Sequence, residues 1–179
     1  MEDKLLIWKL KNGSKDALCR VYEKYEGSML ASAVSILNDV SDAEDAVHDA
    51  FVSIAQSVDK LKFYGNLKGY LMTCVVNRAR DKIRAKQRYR TGLDKSNPVG
   101  TSSKQPSDIV IRDEELRRLS NAMVRLPYEQ REAIVMHLQG GMTFRAIARL
   151  QGVSVHTIWS RYRYGLNKLR SVLNSKVVR

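Results

Sequence analysis

Thr143-Phe-Arg-Ala-Ile-Ala-Arg-Leu-Gln-Gly-Val-Ser-Val-His-Thr-Ile-Trp-Ser-Arg-Tyr162 is the stretch that decides the fold. Its spacing predicts two short helices joined by a tight turn. Ala148 is small where two helices must cross closely. Gly152 follows four residues later, where the chain needs a left-handed backbone that only glycine adopts without steric cost. Ile158 comes six residues after that and faces the core, with Ile147 and Val153 completing the apolar contacts. Ser154 is placed to cap the second helix, because its hydroxyl can accept from a free backbone N–H of the first turn. Val155, Ile158, Tyr162, Leu166 and Leu169 form the expected inner stripe of that helix. His156, Thr157, Ser160, Arg161, Arg163, Tyr164 and Lys168 lie off it. A helix with such side chains fits a DNA major groove, where Arg bonds guanine edges and Arg or Lys meets phosphate.

Just upstream, Leu126 to Leu138 reads as a supporting helix with Pro127 at its start, a position proline favours. Ala133, Ile134 and the run Met136 to Leu138 are expected to back the motif. His137 is expected at its core or rim.

Charge follows the same division. The chain carries 31 Lys and Arg against 19 Asp and Glu, a formal net charge of +12, which points to a polyanionic partner. No acid occurs after Glu132. A second basic block runs Arg78, Arg80, Lys82, Arg84, Lys86, Arg88, Arg90, whereas Asp39, Asp42, Glu44, Asp45 and Asp49 form an acidic cluster. Charges segregated in this way imply separate surfaces for separate partners.

Helical periodicity covers residues 4–90. Leu18, Val21, Tyr22, Tyr25, Leu30, Val34 and Leu37 make one stripe, ended by Asn38-Asp39. Ser41 or Asp42 then reads as an N-cap, with Glu44 and Asp45 in the first turn. Ala43, Val47, Ala50, Phe51, Ile54 and Val58 lie inward on that helix; Asp45, His48, Asp49 and Val52 lie outward. After an irregular link ending at Gly65-Asn66, a longer helix begins at Leu67. Leu67, Tyr70, Leu71, Cys74, Val75 and the stem of Arg78 form its apolar face. Residues 91–107 are rich in Gly, Pro, Ser, Thr, Lys and Asn, a linker composition. The fold class expected is therefore all-α: a helical domain at 1–90, a linker at 91–108, and a second helical domain at 109–179.

Cys19 and Cys74 are expected to be buried hydrophobes, and no metal-ligand or disulfide spacing exists. Asp42, Glu44, Asp45 and His48 point around their helix and cannot converge on an ion. No cofactor is expected, and no nucleophile with a partner base indicates an enzyme. Without a signal-peptide profile or an apolar run of membrane-spanning length, the expected location is cytoplasmic and without membrane insertion.

Residues 126–170 resemble region 4 of sigma-70-type transcription initiation factors, in which a Leu-Pro-x-x-x-Arg helix precedes a helix-turn-helix reading the −35 promoter element. Asp42 to Ile54 (DAEDAVHDAFVSI) resembles region 2.2, which docks on the polymerase β′ subunit. Leu67 to Arg88 (LKGYLMTCVVNRARDKIRAKQR) is similar to regions 2.3–2.4, which bind and melt the −10 element. The absence of region 1.1 and of a recognisable region 3 is the arrangement of the extracytoplasmic-function (ECF) branch.

The resemblance implies that Asp45, His48, Asp49 and Val52 bind core RNA polymerase, with β′ and β as partners. It assigns Phe63, Tyr64, Asn66, Lys68, Asn77, Arg78, Arg80, Arg84 and Arg88 to −10 DNA, with Asp81 positioning its basic neighbours. Phe63 and Tyr64 either stack on an extruded base or pin their loop to the core. Arg145, Ser154, His156, Thr157, Ser160, Arg161, Arg163, Tyr164 and Lys168 fall to −35 DNA. An anti-sigma factor is a common partner in the family, and the free chain is expected to be a monomer. His48 stands where the family usually has Gln, Arg145 where it has Glu, and Trp159 and Tyr164 where it has Lys and Ala, so an unusual −35 sequence is implied. The alternative reading is a dimeric helix-turn-helix regulator acting on preformed polymerase, which would require palindromic sites.

Overall fold

A computed structural model describes residues 2–56, 67–93 and 114–174. Among the described residues the chain is helical throughout. Four helices, α1 (Glu2–Lys11), α2 (Lys15–Leu37), α3 (Val40–Gln56) and α4 (Leu67–Leu93), form the N-terminal bundle. The C-terminal bundle holds α5 (Glu114–Val124), α6 (Tyr128–Ile134), α7 (Phe144–Gln151) and α8 (Val155–Asn174). The last turn of the α6 rod, Val135–Gln139, is π-helical.

Local signals set the ends. Ser14 caps α2 by accepting from the Ala17 N–H at 3.3 Å. Asn38 ends α2 in the left-handed region, φ 54°, a conformation Asn tolerates better than most residues. The next helix starts at once. Its cap is Asp39, whose carboxylate accepts from the Asp42 N–H at 2.9 Å, so the expected cap at Ser41 or Asp42 is corrected. Glu44 and Asp45 accordingly fall in the second turn of α3, and Asp42 is the acid of the first. α4 extends to Leu93, three residues past its expected end at Arg90.

The N-terminal core is built from Leu6, Leu10, Ala17, Val21, Tyr25, Met29, Val47, Phe51, Ile54, Leu67, Leu71 and Val75, among others. Each fully buried large aliphatic side chain contributes roughly 1.5–3 kcal/mol. Cys19 lies outside this core and is exposed, against expectation. It sits midway between the buried Ala17 and Val21, about 200° around the helix from either, so the inward stripe cannot include it. Cys74 is half-buried, and burial raises its thiol pKa.

α4 is buried on two sides. Leu67, Leu71 and Val75 face the N-terminal core. Met72 and Val76, one position further round, and Ala79, next to Val76 on the same side, belong to a second core with Ile36, Leu126, Ile134, Met136, Ile147 and Ile158. The two bundles therefore share a continuous apolar contact. Gly140 packs tightly against α4: a Cβ there would lie 3.3 Å from Cβ and Cγ of Met72, and 2.6 Å from the Met136 carbonyl oxygen of its own segment.

Candidate nucleic-acid interface

The C-terminal motif has the geometry its spacing requires. Thr143 caps α7, accepting from the Ala146 N–H at 3.2 Å. Gly152 ends it at φ 65°, with its N–H bonded to the Ala148 carbonyl. Ser154 caps α8, accepting from the Thr157 N–H at 3.0 Å. Ile147, Ala148 and Ile158 are buried at the crossing. Gly165, on the core side of α8, lets that helix approach α6: a Cβ would meet Ile134 Cδ1 at 2.8 Å, Gln130 Cβ at 3.2 Å and Leu126 Cδ2 at 3.3 Å. His137 supports the motif from behind. Its Nδ1–H donates to the Met142 carbonyl at 2.7 Å, and its ring stacks on Phe144 with centroids 4.3 Å apart.

Two apolar expectations fail here. Val155 is 46% exposed, not on the inner stripe. Helical side chains lean toward the N-terminus, so one in the opening turn leans past the helix start into solvent. Leu138 is 57% exposed, because the wider π-turn shifts the register of the face that follows it.

The outer face of α8 presents His156, Trp159, Arg163 and Tyr164, all exposed. The Trp159 ring stacks on His156 at 5.9 Å, and the Arg163 guanidinium lies 5.2 Å from its centroid, a cation–π distance. Lys168 and, on α7, Arg145 are also exposed, while Thr157 and Ser160 are half-buried at the flank. Arg161 is half-buried and donates to Gln151 Oε1 at 2.8 Å. It points away from Trp159, toward the other bundle.

On α3, Asp45, His48, Asp49 and Val52 are all exposed. Their spacing of three and four residues makes one continuous stripe. Beside it, α4 carries Asn77, Arg84 and Arg88 on an exposed face, with Arg78 and Lys68 half-buried. Asp81 shares the exposed face. Phe63, Tyr64, Asn66 and Val58 lie outside the described residues, as do residues 94–113, which take in 94–108 of the expected linker and the first residues of the expected second domain.

Several cations of the α4 block are already engaged. Lys82 pairs with Asp45 at 3.0 Å and with Asp42 at 3.8 Å, and Lys86 pairs with Asp42. Arg80 reaches across to the other bundle and pairs with Glu132, which is 2% exposed. Burial, with the Glu132 carboxylate nearby, pushes the Tyr128 phenol up to about 12. The sequence reading missed Glu132, Gly165 and the Ser32–Gln139 bond between bundles. A usable signal for the first existed: Glu132 directly precedes the apolar run Ala133 to Met136.

Among the described residues no three His, Cys, Asp or Glu side chains gather to hold a metal ion. None of the described helices is long and apolar enough to cross a membrane.

These two faces, one helix-turn-helix and one acidic stripe beside a basic helix, coincide with two matched family models. Sigma-70 region 2 matches residues 21–89, and Sigma-70, region 4 matches residues 116–169. The chain is an ECF-type RNA polymerase sigma factor of the sigma-70 family. It directs RNA polymerase to promoters through these two regions, and sigma factors are themselves non-enzymatic. Similar proteins include the ECF RNA polymerase sigma factor SigK of Mycobacterium tuberculosis, 24% identical over 177 residues, covering 94% of this chain and 92% of the relative. The RNA polymerase sigma factor CarQ of Myxococcus xanthus is 26% identical over 166 residues, covering 92% and 94%. Among solved structures, the sigma factor RpoE of Bartonella quintana, crystallised with the anti-sigma factor NepR, aligns with a TM-score of 0.71 at 25% identity. That alignment covers 93% of this chain and all of that one. CnrH, in complex with the cytosolic domain of CnrY, shares the fold, with a TM-score of 0.67 at 21% identity over 97% of each chain.

Within this sigma factor, α2–α4 make up region 2 and α6–α8 region 4. The acidic stripe and the basic helix therefore sit in region 2, and the capped recognition helix in region 4.

Proposed function

We propose that region 2 and region 4 divide promoter recognition between them. The α3 stripe of Asp45, His48, Asp49 and Val52 docks on the β′ subunit of core polymerase, with β as a further contact. α4 holds the −10 element through Asn77, Arg78, Arg80, Arg84, Arg88 and Lys68, aided by the aromatic and amide groups of residues 63–66. α8, with Arg145 from α7, reads the −35 element. The domains run 1–90 and 109–179, with 91–108 as the linker between them. The free factor is a monomer, and an anti-sigma protein is a fitting partner, as NepR is for the RpoE structure.

One observation carries this reading: the anionic α3 stripe is exposed in full, while the neighbouring helix and the recognition helix are the cationic ones. Anion and cation surfaces this close on one small chain suit a protein that binds a protein complex and a nucleic acid together. The salt-sensitive phosphate contacts give affinity, and base-edge contacts from α8 give sequence.

Core-binding measurements on His48→Ala and Asp49→Ala test the docking surface. Both should weaken association with core polymerase while leaving the melting temperature within about a degree, as exposed substitutions usually do. Unchanged core affinity in both variants would remove the α3 stripe from the interface. Sedimentation of the free chain as a dimer would favour a regulator reading palindromic DNA.

A further inference from the structure

The exposed side of α8 carries an apolar strip that charge-based DNA recognition leaves unused. Trp159 is 41% exposed, and Val155, one turn earlier, is 46% exposed. Single apolar side chains are ordinary on a protein surface. These two differ in their placement. They stand in the first two turns of α8, the part of a recognition helix that meets base edges in the major groove.

Trp159 is also braced. The His156 ring stacks on it with centroids 5.9 Å apart and planes 30° from parallel. The Arg163 guanidinium lies over the same ring, 5.2 Å from its centroid. His156 comes three residues before Trp159 and Arg163 four after it, so both are its neighbours along one side of the helix. Stacking and cation–π contacts engage the face of a ring. They leave its edge to a partner, and an indole edge carries apolar C–H groups beside a single N–H donor. A ring held in this way has little freedom left to lose on binding.

The major groove offers one base that suits such an edge. Guanine shows two acceptors, cytosine a donor, and adenine an acceptor with a donor. Thymine shows the O4 acceptor together with an apolar group, its C5 methyl. A cationic side chain would favour guanine; the indole edge favours thymine.

We infer that Trp159 is the specificity-determining residue for a thymine in the −35 element, packing its indole edge on the C5 methyl group. Val155 extends the apolar contact toward the start of the helix, and His156 and Arg163 hold the ring in place. The inference rests on the assignment of α8 to the −35 element. Lys168, exposed two turns further on, supplies salt-sensitive phosphate affinity, while Trp159 supplies base identity.

The test uses holoenzyme assembled from core polymerase and the full chain. Selection from templates randomised upstream of the start site first gives the block that the wild type prefers. Each thymine of that block is then replaced singly by deoxyuridine, which keeps the O4 acceptor and the base pairing and lacks only the methyl group. Wild-type binding should fall about three- to fivefold at one of these thymines, the worth of one buried methyl group. Trp159→Ala should weaken binding to the unmodified site and abolish the response to deoxyuridine there, because the methyl group then has no partner to lose. Trp159→Lys should abolish it too. Since Trp159 is exposed, the melting temperature of both variants should stay within about a degree of wild type, and their affinity for core polymerase should be unchanged.

A preferred block in which no thymine responds to deoxyuridine would overturn the inference. An equal deoxyuridine penalty in wild type and Trp159→Ala would do the same. Should Trp159→Ala prove unstable, Trp159→Lys decides by the same comparison. A wild type that selects no upstream block at all would refute the assignment of α8 to −35 DNA, and the inference would fall with it.

Discussion

Gly165→Ala sets two known effects against each other at the crossing of α8 and α6. Alanine is the better helix former by about 1 kcal/mol in a helix interior. Opposing this, the new methyl would lie 2.8 Å from Ile134 Cδ1, 3.2 Å from Gln130 Cβ and 3.3 Å from Leu126 Cδ2. Ile134 Cδ1 is the far end of a side chain and can turn, but Ile134 is 5% exposed and Leu126 3%, so both must move within a filled core. Overpacking of this kind costs about 1–3 kcal/mol. The net expectation is a loss of ~0–2 kcal/mol, or a fall of a few degrees in melting temperature for a chain of this length. Gly165→Val adds two more methyl groups and forfeits most of the propensity gain, so it should lose more than 3 kcal/mol. Thermal unfolding followed by far-ultraviolet circular dichroism measures both. A rise in melting temperature for Gly165→Ala would show room at the crossing and refute the claim that this glycine sets the seat of the recognition helix.

Gly152→Ala forces a Cβ into a left-handed turn at φ 65° and should cost about 1–2 kcal/mol, read by the same melt. Arg161→Ala should lower discrimination at one base pair of the −35 element by ~1–3 kcal/mol if that side chain reads a base edge; an equal loss on all duplexes would make it a phosphate contact. Tyr128 has its pKa raised by burial to about 12 from an ordinary value near 10. Above pH 10 the unfolded chain gives up a proton that the folded chain keeps, so stability falls as pH rises from 10 to 12. The share of Tyr128 is up to about 1.4 kcal/mol per pH unit, and denaturant titrations of Tyr128→Phe across that range should show a correspondingly shallower loss.

The helix-turn-helix was legible in the sequence because its geometry has few solutions. A small residue at the crossing, a left-handed glycine four on and a buried isoleucine six beyond that fix the turn, and Ala148, Gly152, Ile158 and the Ser154 cap all stand where their spacing puts them. The α3 stripe was legible for a similar reason, since a helix of period 3.6 leaves Asp45, His48, Asp49 and Val52 on one side once Ala43, Val47, Ala50, Phe51 and Ile54 face inward. Helix starts were less so. Asp39, Ser41 and Asp42 all have capping side chains, and only the left-handed Asn38 just before Asp39 chooses among them.

Interactions between distant segments were not legible in one sequence read locally. α4 carries apolar residues at 71, 72, 75, 76 and 79, wide enough for two faces, yet a single amphipathic stripe accounts only for Leu71 and Val75. Met72, Val76 and Ala79 make sense only once a second core lies against that helix. The same holds for Glu132, whose burial depends on an arginine 52 residues away. The π-turn that exposes Leu138 also lies beyond a reading based on the α-helical period.

The most direct measurement of the central claim is run-off transcription by core polymerase and this chain on a library of templates randomised upstream of the start site. Transcribed templates should share two separate, unlike blocks at a fixed spacing, and the upstream block alone should shift when α8 side chains such as Arg163 are replaced. Transcripts independent of the added chain, or enrichment of a single palindromic block, would contradict it.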